Sequence, residues 1–369
     1  MNEVERYQFD LNGFILVKGI LDKSEVKSCL AAADDLEAHI AAHIDEEPHF
    51  TGHFGIRYHY DEKLGTSSYK NDWGGGLQYI VDDFLNASSA FDSLVGHERT
   101  MAYMPALAMG PFQIGGSELR FRYRGNMTLT HMGGVIDPRN RYEFVGRPML
   151  DPANGGRDPR DFNLLVVRVL YALEDVPLEN GAFCVVPGSH KSNFFSPYGD
   201  DPTKEPGMIG LPMEAGDALF FTENLRHGGL PNLLDRPRKT IHFQIGPVWA
   251  GSQSPAHWNG SPYVSPEAWS RYSEAQRALF PGRASSRPPM VRKGPPAEED
   301  RTTERLRAHV RDLETEVQQL SHELSLIRNS VSWRMTAPAR RAITLGRRVA
   351  RRFGTTNIRD HLKSLNDTP

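Results

Sequence analysis

The sequence predicts a mainly β fold with flanking helices, of the sandwich or jelly-roll kind, followed by a helical tail. Three observations predict it. Short apolar or alternating runs such as "GAFCVVPGSH", "GDALFFTEN" and "RKTIHFQIGPVW" are closed by turn residues, with few helical patterns between them. The segment "NLLVVRVLYALEDV" is a nearly continuous Val/Leu run, which reads as a strand buried on both faces. After residue 283 the composition changes, first to a Pro-rich stretch and then to a helical period.

Taken in order, "YQFDLNGFILVKGIL" reads as a short strand after an Asn-Gly turn. "DKSEVKSCLAAADDLEAHI" starts a helix, with Asp22 as N-cap and Val26, Leu30 and Leu36 at helical spacing. Residues 40–80, 134–162 and 192–210 read as loops, the parts of such a fold that set specificity. Residues 1–283 form the globular domain and 284–298, "ASSRPPMVRKGPPAE", a linker. In 299–330 the apolar residues Leu306, Val310, Leu313, Val317, Leu320, Leu324 and Ile327 alternate steps of four and three, the seam of a coiled coil. That seam would make a homo-oligomer through 306–327, or else dock one amphipathic helix on the main domain. Residues 331–369 contain "SWRMTAPARRAITLGRRVARRFG", a stretch rich in arginine, without an acid, and interleaved with apolar residues. Such a basic amphipathic tail either lies on an anionic membrane surface through 331–353 or stays solvated.

Composition narrows the classes. A chain of 369 residues holds one large domain plus an appendage. A net charge of −3 gives no general attraction to nucleic acid, and no recognition motif accompanies the basic tail, so no nucleic-acid partner is expected. Two cysteines, Cys29 and Cys184, exclude a disulfide framework and a Cys-rich zinc site. They fit a reducing cytoplasm, with peripheral contact at the inner face of a membrane if the tail binds one. The N-terminal segment has no apolar core of signal-peptide type, and no apolar run approaches the ~18 residues of a membrane span.

The chemistry points to two histidines. His131 lies in "TLTHMGGVID" and His227 in "GDALFFTENLRHGGLPN", 96 residues apart and each on or beside a predicted strand. Neutral imidazoles converging in a barrel suit divalent iron, and leave room for a carboxylate and open positions. Arg238 follows His227 by eleven residues in "RPRKTIHFQ"; Thr240 and His242 share its side of a strand. Arg168 interrupts an apolar strand. If it faces inward it needs a partner: Glu223, an anionic substrate group or chloride.

The order of these segments, with "ENGAFCVVPGSHKSN", "HGGLPNLLDRPRKTI" and the opening "DLNGFILVKGILDKSEV", resembles the phytanoyl-CoA dioxygenase family of Fe(II)/2-oxoglutarate oxygenases over roughly residues 6–250. The resemblance implies a double-stranded β-helix (jelly-roll) core. It implies His131 and His227 as iron ligands, and Arg238 with Thr240 on the distal carboxylate of 2-oxoglutarate, with Arg236 as fallback. Guanidinium meets a carboxylate through two parallel donors. The tail segment "IRNSVSWRMTAPAR" is similar to terminal segments of bacterial transferases of surface-polysaccharide assembly.

One residue departs from the family pattern. Where the resemblance expects His-x-Asp, the chain has His131-Met132-Gly133. An intact His59-Tyr60-Asp61 is rejected as the iron site because it lies far upstream, outside the expected barrel strands, in what reads as loop or surface. Asp137, turning back across Gly133-Gly134, or Glu223, four residues before His227, would restore the carboxylate. Three readings result. The first is an Fe(II)/2-oxoglutarate dioxygenase hydroxylating a small-molecule substrate, sugar- or acyl-linked. The second is a non-heme iron halogenase with chloride in the space left at Gly133. The third is a non-catalytic binding or scaffold protein. In the first two, His131, His227 and Arg168 are the catalytic residues.

Overall fold

The computed structural model describes residues 1–51, 56–72, 74–132, 162, 164–192, 196–248 and 262–280. The linker, the heptad seam and the basic tail fall outside them, as do Gly133 and Asp137. Among the described residues no helix is long and apolar enough to cross a membrane.

In chain order the strands are β1 (Phe14–Val17), β2 (His49–Thr51), β3 (Arg57–Asp61), β4 (Thr66–Asn71), β5 (Gln78–Asp82), β6 (Phe112–Arg122), β7 (Thr128–His131), β8 (Val167–Ala172), β9 (Phe183–Val185), β10 (Ile209–Leu211), β11 (Ala218–Thr222), β12 (His227–Gly229) and β13 (Arg238–Pro247). They form a nine-stranded sheet, ordered β1-β11-β8-β13-β6-β5-β4-β3-β2, and a four-stranded sheet, β10-β9-β12-β7. The named pairings are antiparallel. This is the jelly-roll architecture the turn-punctuated strands predict.

The short strand expected after Asn12-Gly13 is β1, and a helix precedes it. Residues Glu3–Asn12 form this helix, α1, whose capping box joins Asn2 and Glu5. Gly13 ends it with φ 81°, the left-handed conformation of a C-cap, and β1 starts one residue later. The second helix, α2 (Lys23–His43), starts where expected, with the Asp22 carboxylate accepting from the amides of Ser24 and Glu25. Its buried Cys29, Ala33, Leu36 and Ile40 share one apolar cluster with Val81, Leu119, Phe121, Val167, Val169, Tyr171, Phe220, Ile241 and Phe243.

Those sheet residues lie on one face of the large sheet, because directly opposed residues share a face and neighbours alternate. The other face is split. Leu170, Leu219 and Phe221 pack with Phe183, Val185 and Leu211 of the small sheet, which closes the sandwich. Each large apolar side chain so buried contributes about 1.5–3 kcal/mol. Strand β8 is thus apolar on both faces, as its sequence indicated, with Arg168 the exception.

The interval 40–80 departs from expectation. It was expected to be loop, yet β2, β3, β4 and the start of β5 extend the large sheet through it. Segments such as "RYHYD" and "TSSYKN" alternate weakly and carry polar residues on both faces, so their hydrophobic period is faint. Pairing to β6 through β5 gives them a template that propensity does not. His59 is accordingly buried on β3, not on a loop; its Nδ1 hydrogen-bonds the carbonyl of Glu46, and Asp61 is paired with His39. Both are committed away from the histidines of the small sheet.

Candidate metal and co-substrate site

His131 ends β7 and His227 begins β12, and the two are direct cross-strand partners. Their rings lie 4.3 Å apart, centre to centre, tilted by 57°. Each ring is held the same way. The His131 Nδ1 donates to the carbonyl of Leu129 at 2.8 Å, and the His227 Nδ1 donates to that of Leu225 at 2.7 Å. A carbonyl only accepts, so Nδ1 carries the proton in both rings and Nε2 presents its lone pair. Fixing the second ring nitrogen in this way orients a histidine ligand. Burial, then the neighbouring His131, drive the His227 pKa down to about 3; the pKa of the more exposed His131 is lowered as well, by desolvation within the site. Both imidazoles are neutral at physiological pH, as ligation requires.

The turn from β11 to β12 crosses from the large sheet to the small one and carries Glu223 and His227. It brings a carboxylate to the pair: one ligand atom each from His131, Glu223 and His227 lie within 4.8 Å of one another. Among the described residues this is the only such group of three. The Glu223 Oε2 accepts from Arg168 Nε at 2.5 Å, which leaves its other oxygen for a metal. Burial pushes Glu223 toward the neutral acid, but the charge and hydrogen bond of Arg168 outweigh it and hold the pKa at about 2. Arg168 therefore faces inward, as one of the sequence alternatives required, and keeps Glu223 ionised and oriented.

The inner row of β13 carries Arg238, Thr240 and His242. Arg238 is 2% exposed, which excludes an exposed turn arginine. Its Nη1 donates to the Gly181 carbonyl at 2.6 Å, its Nη2 lies 3.4 Å from Thr240 Oγ1, and its Nε has no partner. Thr240 Oγ1 in turn lies 3.0 Å from His242 Nε2. All of Arg238's partners are neutral. Burial, with Arg120 nearby, lowers its pKa to about 9. A buried guanidinium without an anion and with an orphaned donor is a socket for a carboxylate. Burial, then Arg120, Arg238, Arg168 and His227, hold the His242 pKa well below its ordinary value. Arg236 instead donates to the carbonyl of Asp175 on an exposed edge, which removes it as the fallback.

Sequence reasoning missed two sets of residues. Glu118, Arg120 and Arg122 on β6 oppose His242, Thr240 and Arg238 on the same inner face. Arg122 is fully buried and bonded to Asn126 Oδ1, to the Asn126 and Leu230 carbonyls, and more weakly to that of Gly181, which Arg238 also holds. Arg120 donates to Glu118, its Nε at 2.7 Å. Their signal was the period-two charge in "SELRFRYR". The second set braces the metal site. Arg226 Nε lies 2.5 and 2.6 Å from the two oxygens of Glu205, and the Thr130 amide donates to the Asp200 carbonyl at 2.6 Å. The 199–205 segment thereby fixes the residue preceding each histidine.

A family model described as phytanoyl-CoA dioxygenase (PhyH) matches residues 9–240. The chain belongs to the phytanoyl-CoA dioxygenase family. It is accordingly a 2-oxoglutarate-dependent oxygenase. Among solved structures, HygX from Streptomyces hygroscopicus with nickel and 2-oxoglutarate bound is 20% identical, with a TM-score of 0.50, covering 75% of this chain and 94% of that one. HygX with nickel, 2-oxoglutarate and hygromycin B is also 20% identical, with a TM-score of 0.47 over the same shares, 75% and 94%. SnoN, a non-heme α-ketoglutarate-dependent epimerase from nogalamycin biosynthesis, is 22% identical, with a TM-score of 0.45 and coverage of 67% and 83%. At these identities the likeness is one of fold. The residues fit such a site: two Nε2 lone pairs and a carboxylate stand together where the small sheet meets the β11–β12 turn, and a buried guanidinium socket stands on β13 of the large sheet.

Proposed function

We propose that the protein is an Fe(II)/2-oxoglutarate dioxygenase that hydroxylates a small-molecule substrate, with His131, His227 and Glu223 holding the metal. The observation that carries this reading is the convergence of those three ligand atoms within 4.8 Å, which supplies the carboxylate that His131-Met132-Gly133 lacks. Arg238 and Thr240 receive the distal carboxylate of 2-oxoglutarate. When bound, iron and 2-oxoglutarate supply dioxygen activation coupled to oxidative decarboxylation of the co-substrate. The chain does the rest. The Leu129 and Leu225 carbonyls keep both imidazoles in the ligating tautomer, and Arg168 holds Glu223 charged and aimed. Phe183 and Phe221, packed on the His227 ring at 5.4 and 4.9 Å, exclude water from one side of the site. A sandwich mouth of this size suits a small molecule, sugar- or acyl-linked in the reading favoured here.

The halogenase reading needs a vacancy for chloride at the metal. Glu223 fills that role in this reading, and a complete ligand set gives no support to a degenerate barrel either. The test is anaerobic titration with Fe(II) and 2-oxoglutarate, following the metal-to-ligand charge-transfer band across a chloride series. A band insensitive to chloride, with 2-oxoglutarate turnover to succinate, is expected. A chloride requirement would overturn the dioxygenase assignment in favour of halogenation.

A further inference from the structure

The inner face of the large sheet does not end at Glu118. Cross-strand pairing continues from Glu118 to Asp82 on β5 and from Asp82 to Ser67 on β4, so these three side chains share a face. Asp82 is 1% exposed and neither of its carboxylate oxygens has a hydrogen-bond partner. The fully buried Ser67 Oγ is likewise unpartnered, and the buried Tyr58 hydroxyl, on the same face, makes no well-formed hydrogen bond but acts on the Asp82 carboxylate. Tyr58 and Tyr69 meet edge to face with ring centres 4.8 Å apart and form the aromatic border.

Buried polar groups are nearly always paired, and an ionisable one left unpaired is a strong exception. Here the local charge is lopsided. Asp82 and Glu118 face each other; Arg120, the cation that acts on Asp82, is already bound to Glu118, on which Arg168 acts as well. Asp82 itself is left without an ion-pair partner, beside unused acceptors. A hydroxyl ligand would leave the charge uncompensated; an anion would be repelled. An ammonium group has three donors, no acceptor and the missing charge.

We propose that Asp82, Glu118, Ser67 and Tyr58 form a subsite for a protonated amino group of the substrate, so that this oxygenase acts on an amine-bearing small molecule. The proposal names the substrate class of the site assigned above and rests on that reading. The subsite lies on β5, three strands from Arg168 in the order β5-β6-β13-β8, or roughly 14 Å at the usual strand spacing. That separation leaves room for a substrate anchored by its amine to place a distal carbon beside the histidine pair. It also separates recognition from chemistry. Burial, Glu118 and Asp83 favour the protonated form of Asp82 when no cation is present, against Arg120 and the Tyr58 hydroxyl; Tyr69 borders the group. Amine binding would then displace that proton to solvent.

The experiment uses the full chain and two probe pairs matched in shape: ethylammonium against ethanol, and glucosamine against glucose. Calorimetry in two buffers of different ionisation heat measures affinity and proton release together. Each cation is expected to bind at least tenfold tighter than its neutral counterpart, with release of a proton at neutral pH. Asp82→Asn is expected to erase the preference. Tyr58→Phe, which removes one acceptor and keeps the ring, is expected to weaken it severalfold and serves if Asp82→Asn does not fold. Equal affinity for charged and neutral probes, or a preference retained in a folded Asp82→Asn or Tyr58→Phe protein, overturns the subsite. So does equal binding of potassium ion in place of the amines. The charge-transfer band of Fe(II) and 2-oxoglutarate is read on parallel samples. A normal band with no amine preference sinks the subsite alone, whereas an absent band with a clear preference sinks the cofactor assignment alone.

Discussion

Replacing Glu223 by Ala should have two separable effects. Its carboxylate is the partner of Arg168, at 2.5 Å, and in the proposed site also the third metal ligand. Breaking a buried ion pair by removing one partner costs about 3–5 kcal/mol, because the other charge is left uncompensated. The two side chains here are 16% and 9% exposed, and Glu118 also acts on Arg168, so the low end, about 3 kcal/mol, applies. That loss concerns the metal-free protein. In the wild type, Ni(II), a redox-inert substitute for Fe(II), at a hundredfold its Kd should add about 2.7 kcal/mol by linkage. At the same metal concentration Glu223→Ala should gain far less, since a lost ligand raises Kd. Arg168→Met provides the contrast. It too is destabilised without metal, but the dication then becomes the counter-charge for Glu223, and its metal-induced gain should equal or exceed that of the wild type. Urea denaturation with and without Ni(II) measures all three. If Glu223→Ala binds Ni(II) as tightly as the wild type, Glu223 is not a ligand and the carboxylate must come from elsewhere, with Asp137 the next candidate.

The other expectations are more direct. His131→Ala and His227→Ala should each abolish metal binding in an anaerobic titration; full affinity in either would remove that ligand. Arg238→Ala should weaken 2-oxoglutarate by about 1.5–3 kcal/mol, the range for a lost hydrogen bond to a charged group, and unchanged binding would move the carboxylate socket to Arg120 or Arg122. Gly13→Ala should lower stability by about 1–2 kcal/mol, because Gly13 sits at φ 81° and a Cβ there would come within 2.4 Å of His190 Nδ1; an unchanged Tm would show that the α1 cap relaxes freely. Asp82 has its folded pKa raised above that of the unfolded chain, so its favourable contribution is complete below pH 4 and is lost as pH rises through the folded value. Asp82→Asn should flatten that part of the stability profile, and an identical slope in both proteins would contradict the buried, unpaired acid.

Much of the site was legible as residue types at suggestive spacing. His131, His227, Arg238 and Thr240 stand out because strand period two aligns Arg238 with Thr240, and because histidines interrupt otherwise apolar or glycine-rich segments. Sequence also determined α2 through Asp22 and its helical apolar row, β8 through its unbroken Val/Leu run, and the jelly-roll class through regular turn signals. Each of these depends on local chemistry alone: a cap, a period, a turn. What only the tertiary structure decided depends on partners distant in the chain. Glu223 was the first candidate and Asp137, outside the described residues, the alternative; the crossing from β11 to β12 is what sets Glu223 beside His131, 92 residues earlier. Arg168 could have faced either way until pairing with β11 and β13 set its side. The weakly patterned strands of 49–82 formed because β6 offered them an edge, and they aligned Asp82 with Glu118. Register is a property of two strands together. A single sequence specifies the side chains along each strand, but the opposing strand determines which of them meet.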